Sequence, residues 1–170
     1  MRFRGGLELH AAVGTAPTAA FGATLGAGAR WRYWSLNVEA RADVPSSARV
    51  SPGRVSTWLA TGTLAPCGHV SFFTGCALIG LGPLSISTTG LGEPRHVVDL
   101  LFHVGVRGAV ELPLTRVLHL LLHADVLIAL TRPRLTVADM ANGGSPEREV
   151  FLTPRVGGTL GAGLLLYLGR

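Results

Sequence analysis

Polar and apolar residues alternate along most of this chain. Between positions 33 and 43, Trp34, Leu36, Val38, Ala40 and Ala42 are apolar, while Ser35, Asn37, Glu39, Arg41 and Asp43 are polar. A period of two marks a strand with two unlike faces, because successive side chains leave opposite sides of the pleat. The preceding segment sets Phe21, Ala23, Leu25, Ala27 and Ala29 against Gly22, Thr24, Gly26, Gly28 and Arg30. Later runs behave alike: Val98, Leu100, Phe102, Val104 and Val106 interleave with Asp99, His103, Gly105 and Arg107, and Leu118 to Leu130 interleave with His119, His123 and Asp125. The first segment faces Phe3, Leu7 and Leu9 away from Arg2, Arg4, Glu8 and His10. The last faces Leu160, Leu164, Leu166 and Leu168 away from Arg155, Thr159 and Tyr167. Eight strands are predicted, at 2–14, 20–31, 33–44, 54–70, 73–88, 96–112, 116–131 and 151–169.

The pattern is less clean over 54–88, where the cysteines assist. A tight turn at Ser71-Phe72 sets Cys67 opposite Cys76, on one face with Thr57, Thr61, Thr63, His69 and Thr74. Trp58, Leu64, Val70, Phe73, Ala77, Ile79 and Leu81 then form an apolar face. A Cys67–Cys76 disulfide, and with it an oxidising compartment, is expected, two free thiols being the alternative.

Connection lengths add direction. They are short at Arg32, at Ser71-Phe72 and at Pro113 to Thr115, and longer at Pro45 to Gly53, Thr89 to Arg95 and Arg132 to Glu149. One end of the sheet is trimmed and the other carries loops, as in an up-and-down barrel.

Alternation does not say which face points inward, since a soluble lipocalin-like carrier of a hydrophobic ligand has the same period with an apolar lumen. Composition favours the inverse. Charged residues are 15% of the chain, against about 25% in soluble domains, and 23 of 170 residues are Gly. A face made of Gly, Ser and Thr with few ionisable groups per strand suits a cramped interior better than a solvated exterior. With a turn at Arg32-Tyr33, Gly28 faces Asn37, Gly26 faces Glu39 and Thr24 faces Arg41, so small residues sit opposite long ones. The fold class is therefore all-β, a single closed eight-stranded antiparallel transmembrane barrel over residues 1–170.

Net charge is +5 and every basic residue is Arg. The arginines are scattered without interleaved aromatics, which argues against nucleic acid. No run reaches the roughly 18–20 apolar residues of a spanning helix. Met1-Arg2-Phe3-Arg4-Gly5-Gly6 is followed by Glu8 and His10 and not by an apolar stretch, so no signal peptide is expected within this sequence: either the chain is cytosolic, or a leader has been removed or lies upstream.

In strands such as Leu25-Gly26-Ala27-Gly28-Ala29-Arg30-Trp31 and Gly157-Gly158-Thr159-Leu160-Gly161-Ala162-Gly163-Leu164, the chain resembles the small eight-stranded outer-membrane barrels of Gram-negative bacteria, similar in architecture to OmpX and the OmpA transmembrane domain. The resemblance implies location in the cell outer membrane, lipid as the surrounding partner, the barrel-assembly machinery as the partner during insertion, and no cofactor. It departs in its last residues, Leu166-Tyr167-Leu168-Gly169-Arg170, where such barrels end in an aromatic. Trp31, Tyr33 and Trp34 are the interface aromatics, at the trimmed end.

The inward face is expected to hold a polar network of Glu8, His10, Arg30, Glu39, Arg41, Asp43, Asp99, His103, Arg107, Glu111, His119, His123, Asp125 and Arg155. Charges at bilayer depth must pair or meet water. Taking Pro113 to Thr115 as the turn places His103 near His123 and Asp125, and Arg107 near His119. A His/Asp metal or acid-base site is one reading of that group; a polar plug that fixes register is the other. His119 and His123, four apart on a strand, are separated by about 13 Å, too far to share one ion. Ser56, Ser71 and Ser85 have no His at a hydrolase-like spacing, so no catalytic residue is assigned and an enzyme is not expected. A recognition role falls to the long polar loop at 132–150, its partner unidentified.

Overall fold

The computed structural model describes residues 1–14, 18–50, 53–89, 96–131, 134–137, 148–152 and 154–169. Its strands are β1 (Arg2–Val13), β2 (Ala20–Arg30), β3 (Trp34–Asp43), β4 (Ser46–Val50), β5 (Gly53–Val70), β6 (Phe73–Thr89), β7 (His96–Pro113), β8 (Leu118–Ala129), β9 (Arg134–Val137), β10 (Arg148–Leu152) and β11 (Val156–Leu168). Eight of them, β1, β2, β3, β5, β6, β7, β8 and β11, pair antiparallel with their neighbours in chain order, and β11 returns to β1. The result is a closed up-and-down barrel, in which each of the eight strands pairs on both sides. The remaining strands lie at the looped end: β4 pairs with the start of β5, and β9 with β10. Residues 46–50 are thus strand where a loop was expected. The last barrel strand begins at Val156, residues 148–152 belonging to the small hairpin.

The tight turns fix the registers that depend on them. Across β2 and β3, Gly28 faces Asn37, Gly26 faces Glu39 and Thr24 faces Arg41, and across β5 and β6 Cys67 faces Cys76. Both agree with the alternation read through the turns at 31–33 and 71–72. Ser71 takes the left-handed backbone, φ 57°, that a two-residue hairpin turn requires. Phe3 pairs with both Ala29 and Leu168, so the first and last strands begin and end at the trimmed end.

Cys67 and Cys76 form a disulfide across this hairpin. The bond closes a loop of sequence separation 9, short enough that the lost loop entropy is worth about 2–3 kcal/mol. The double variant Cys67→Ser/Cys76→Ser is expected to fold and to unfold at lower urea, with a stability loss of that size. Wild type under reducing conditions should reproduce it.

The β7–β8 register differs from expectation. The turn is 114–117, closed by the amides of Leu114 and Thr115 donating to the Leu118 carbonyl (2.9 Å each), so Arg107 faces Asp125, His103 faces Ala129 and Pro113 faces His119. Pro113, expected to open the turn, is instead the last residue of β7 and pairs with His119 although it has no N–H to donate.

The apolar face points outward. Leu9 is 68% exposed, Leu25 65% and Leu160 68%. Positions 3–13 of β1, 21–29 of β2, 34–42 of β3, 98–112 of β7 and 156–168 of β11 carry no charged residue on this face. From Phe3 to Val13, about ten steps of about 3.4 Å on a strand tilted by about 40° span roughly 26 Å, close to the apolar band of about 25 Å in barrels that cross a bilayer. The interior holds Glu8, His10, Glu39, Asp43, Glu111, His123 and Asp125, all buried. A lipocalin-like carrier needs the opposite arrangement, so that alternative fails on geometry. The interior is not wholly polar: Leu59, Leu78, Leu84, Ile86, Leu101, Leu121, Leu127 and Leu165 are buried too. Those of β5 and β6 are what blur the alternation over 54–88.

Candidate functional site

The inward side chains group into three tiers along the barrel axis. At the trimmed end Glu111 is the hub. Arg4 donates to its Oε1 at 2.7 Å, Arg30 donates to its Oε2, and the Tyr167 hydroxyl donates to Oε2 at 2.9 Å. Arg4 also donates to Asn37 Oδ1 at 2.7 Å, and His69 lies between Ser35 and Thr74, 2.9 Å from each hydroxyl.

The middle tier is a chain of five ionisable groups from four strands. Arg107 grips Asp125 with two nitrogens, at 2.8 and 3.0 Å, and donates its third to Glu39 at 2.7 Å. His123 lies 3.0 Å from Asp125 by Nδ1 and 3.0 Å from Glu8 by Nε2. Buried ions are tolerated when each is paired, and a planar guanidinium held by two carboxylates is the strongest form such pairing takes.

Toward the looped end Arg41 holds Asp43 bidentately at 2.8 Å twice, and Asp43 also meets His10 Nε2 at 2.8 Å. Arg41 reaches Thr159 on the far side of the lumen at 3.2 Å.

Most of the residues read from sequence as inward are therefore brought together, with exceptions. His103 is buried but opposite Ala129, away from His123. Arg107 lies beside Asp125 and not His119, which sits at the trimmed mouth against the Tyr167 ring, centroids 4.6 Å apart. Asp99 and Arg155 are exposed and belong to none of the three tiers. Asp99 lies on β7 beyond His103, where pairing with β8 has already ended, so β8 does not flank it; its carboxylate accepts from the Leu100 amide at 2.8 Å. Arg155 precedes the first residue of β11. Among the described residues no three His, Cys, Asp or Glu converge on a metal-sized site.

Arg4, Ser35, Asn37, His69 and Tyr167 are members of the network that were not singled out from sequence. Their inward parity was legible, and Arg4 and Tyr167 carried the signal in lying on the polar face. Trp31 and Trp34 stack at 3.9 Å with planes 6° apart, and Arg32 lies 5.0 Å over the Tyr33 ring, all at the trimmed end.

Glycines make room for this network. A Cβ on Gly161 would lie 2.2 Å from His123 Nε2, and one on Gly80 2.4 Å from His103 Nε2. Between the tiers, bounded by Arg4, Glu8, Glu39, Arg107 and Glu111, lies a void of about 30 Å³, room for a water or two. Gly161→Ala is expected to push the His123 ring off Glu8 and cost about 1–3 kcal/mol by overpacking. Gly62→Ala, whose Cβ would meet nothing within 4 Å, should stay within about 0.5 kcal/mol of wild type. Urea midpoints of the two variants in detergent check the difference.

No family model matches the chain, and no curated protein matches it in sequence. Solved structures do match in shape. Neisserial surface protein A (NspA) superposes with a TM-score of 0.56 at 11% identity, over 97% of this chain and 95% of its own. Ail, the attachment invasion locus protein of Yersinia pestis, solved in complex with the heparin analogue sucrose octasulfate, gives 0.53 at 10% identity over 98% and 97%. At these identities the likeness concerns the backbone. The chain has the fold of the small eight-stranded outer-membrane barrels.

Proposed function

We propose that this protein is an outer-membrane barrel whose role is anchoring, or recognition through its outer loops, with a lumen closed by its own side chains. The outward faces carry the reading: they bear no charge over a height that matches a bilayer core, while the ionisable groups pair in the interior. Each strand satisfies its backbone with two neighbours, so no polar edge meets lipid. Lipid is the partner of the outer face, and the barrel-assembly machinery the partner during insertion. Side chains reach across the lumen in three tiers and leave voids of water size, which favours an anchor over a conducting pore. The paired ions serve as a register-fixing plug, so the reading is not enzymatic.

The trimmed end faces the periplasm and the loops face outward. The recognition surface would include the β4–β5 hairpin, where Arg49 pairs across from Arg54 and both are exposed, and the segment 132–150 read from sequence as the recognition loop, of which 132–133 and 138–147 lie outside the described residues. Ail binds a sulfated heparin analogue, and exposed arginines at the looped end make a polyanion a reasonable ligand class to test first.

Orientation is tested with an epitope inserted between Asn142 and Gly143, and a second placed after Ser71, in cells that export the barrel. Antibody should label intact cells carrying the first and only permeabilised cells carrying the second. Labelling of intact cells through the second site alone would reverse the assignment, and labelling through neither would remove the surface role.

A further inference from the structure

We propose that the mouth at the trimmed end is a binding site for a phosphate group. The mouth is a bowl of about 450 Å³ lined by Arg2, Arg30, Trp31, Arg32, His119 and Tyr167, within the range of about 300–1,000 Å³ usual for ligand sites. None of these residues is acidic.

Arg2 and Arg30 are direct cross-strand neighbours on the inward face. Like charges so placed are destabilising unless a counter-charge lies between them. The nearest acid is already engaged, since Glu111 gives one oxygen to Arg4 and the other to Arg30 and Tyr167. Among the described residues Arg2 has no acidic partner, and Arg32 has only the Tyr33 ring beneath it.

Charge along the axis tells the same story. Among the described residues, Arg2, Arg4, Arg30, Arg32 and Arg116 stand at this end against the carboxylate of Glu111, an excess of four formal positive side-chain charges. The lumen above is the reverse, with Glu8, Glu39, Asp43 and Asp125 against Arg41 and Arg107. A positive bowl on a negative floor draws an anion to the mouth and stops it there. Guanidinium forks approaching from two strands and a turn suit an anion with several oxygens, which a phosphate offers and a single carboxylate does not. The group can arrive as free phosphate or as the headgroup of an anionic phospholipid, because the aromatic collar of Tyr33 and Trp34 puts the mouth at headgroup depth.

The test uses the refolded barrel in uncharged detergent, with Trp58→Phe leaving Trp31 and Trp34 as the only indoles. Inorganic phosphate is titrated at constant ionic strength set by chloride, and short-chain phosphatidylglycerol is titrated separately against a neutral glycolipid. A saturable fluorescence change is expected, with affinity falling at least tenfold in Arg2→Gln and Arg32→Gln and unchanged in Arg155→Gln, exposed at the opposite end. Saturation by phosphate alone assigns a soluble anion, and saturation only by phosphatidylglycerol assigns a headgroup. If chloride reproduces the change, if neither titrant saturates, or if Arg2→Gln and Arg32→Gln bind as wild type does, the site does not exist. The detergent and the phospholipid arm rest on the membrane reading, and the titration with inorganic phosphate does not. A barrel that stayed monomeric in plain buffer would overturn that reading and leave this titration intact.

Discussion

Replacing Arg107 with methionine is expected to destabilise the barrel by about 3–5 kcal/mol, the usual cost of breaking a buried ion pair from one side. Among the described residues Arg107 is the one cation that touches both Glu39 and Asp125. Its loss leaves two buried carboxylates facing each other across the lumen, with His123 alone to balance Asp125 and Glu8. The triple variant Arg107→Met/Glu39→Gln/Asp125→Asn removes Arg107 together with the two carboxylates it grips, leaving Glu8 beside His123, and is expected to recover most of the loss, because a buried pair contributes little net stability over neutral side chains of similar shape. Urea unfolding in micelles, followed by tryptophan fluorescence, measures both. A single variant as stable as wild type would mean that water reaches this tier and that the lumen is open.

The second large effect lies on the other face. Leu25 is at the middle of the β2 outward row and faces Leu7 on one side and Ala40 on the other. Leu25→Arg is expected to cost about 2–4 kcal/mol when the protein is folded in lipid vesicles, and Val13→Arg near the loop-side rim about 0–1 kcal/mol. The depth dependence is the informative part. An outward arginine at mid-height on a water-soluble barrel would cost nothing and would improve solubility.

Much of this architecture is legible in the alternation, because a closed barrel gives every strand one lipid face and one lumen face, and side-chain parity is then fixed by chain position alone. Hairpins with two- or three-residue turns are legible down to the register, as Gly28 with Asn37 and Cys67 with Cys76 show. The β7–β8 pair was not. Its turn at 114–117 is longer, and Pro113 mimics a turn residue. The slip preserves parity, so His123 and Asp125 still point inward, but it exchanges partners and hides the Arg107–Asp125 pair. Exposure of Asp99 and Arg155 was invisible for another reason: alternation continues past the height at which neighbouring strands end, and only the stagger of β7 over β8 says where enclosure stops. The apolar lumen residues Leu78, Leu84 and Ile86 broke the pattern for a physical cause. Side chains that fill a dry interior need volume, and leucine supplies it without needing a hydrogen-bond partner.

Similarly, the trimmed-end cluster was partly hidden because its members come from strands far apart in sequence. Arg4 and Glu111 meet only when β11 closes onto β1 and carries Tyr167 between them. No local spacing encodes such a contact, which depends on barrel closure and stagger.

The central claim is the inversion, apolar residues outside and paired ions within. Its most direct test is the state of the purified chain with and without an amphiphile, read by gel mobility before and after boiling. A folded barrel that requires detergent or lipid to stay in solution, and whose unboiled form migrates differently from the boiled one, is the predicted result. A chain that remains folded and monomeric in detergent-free buffer, with the same mobility in both lanes, would contradict it.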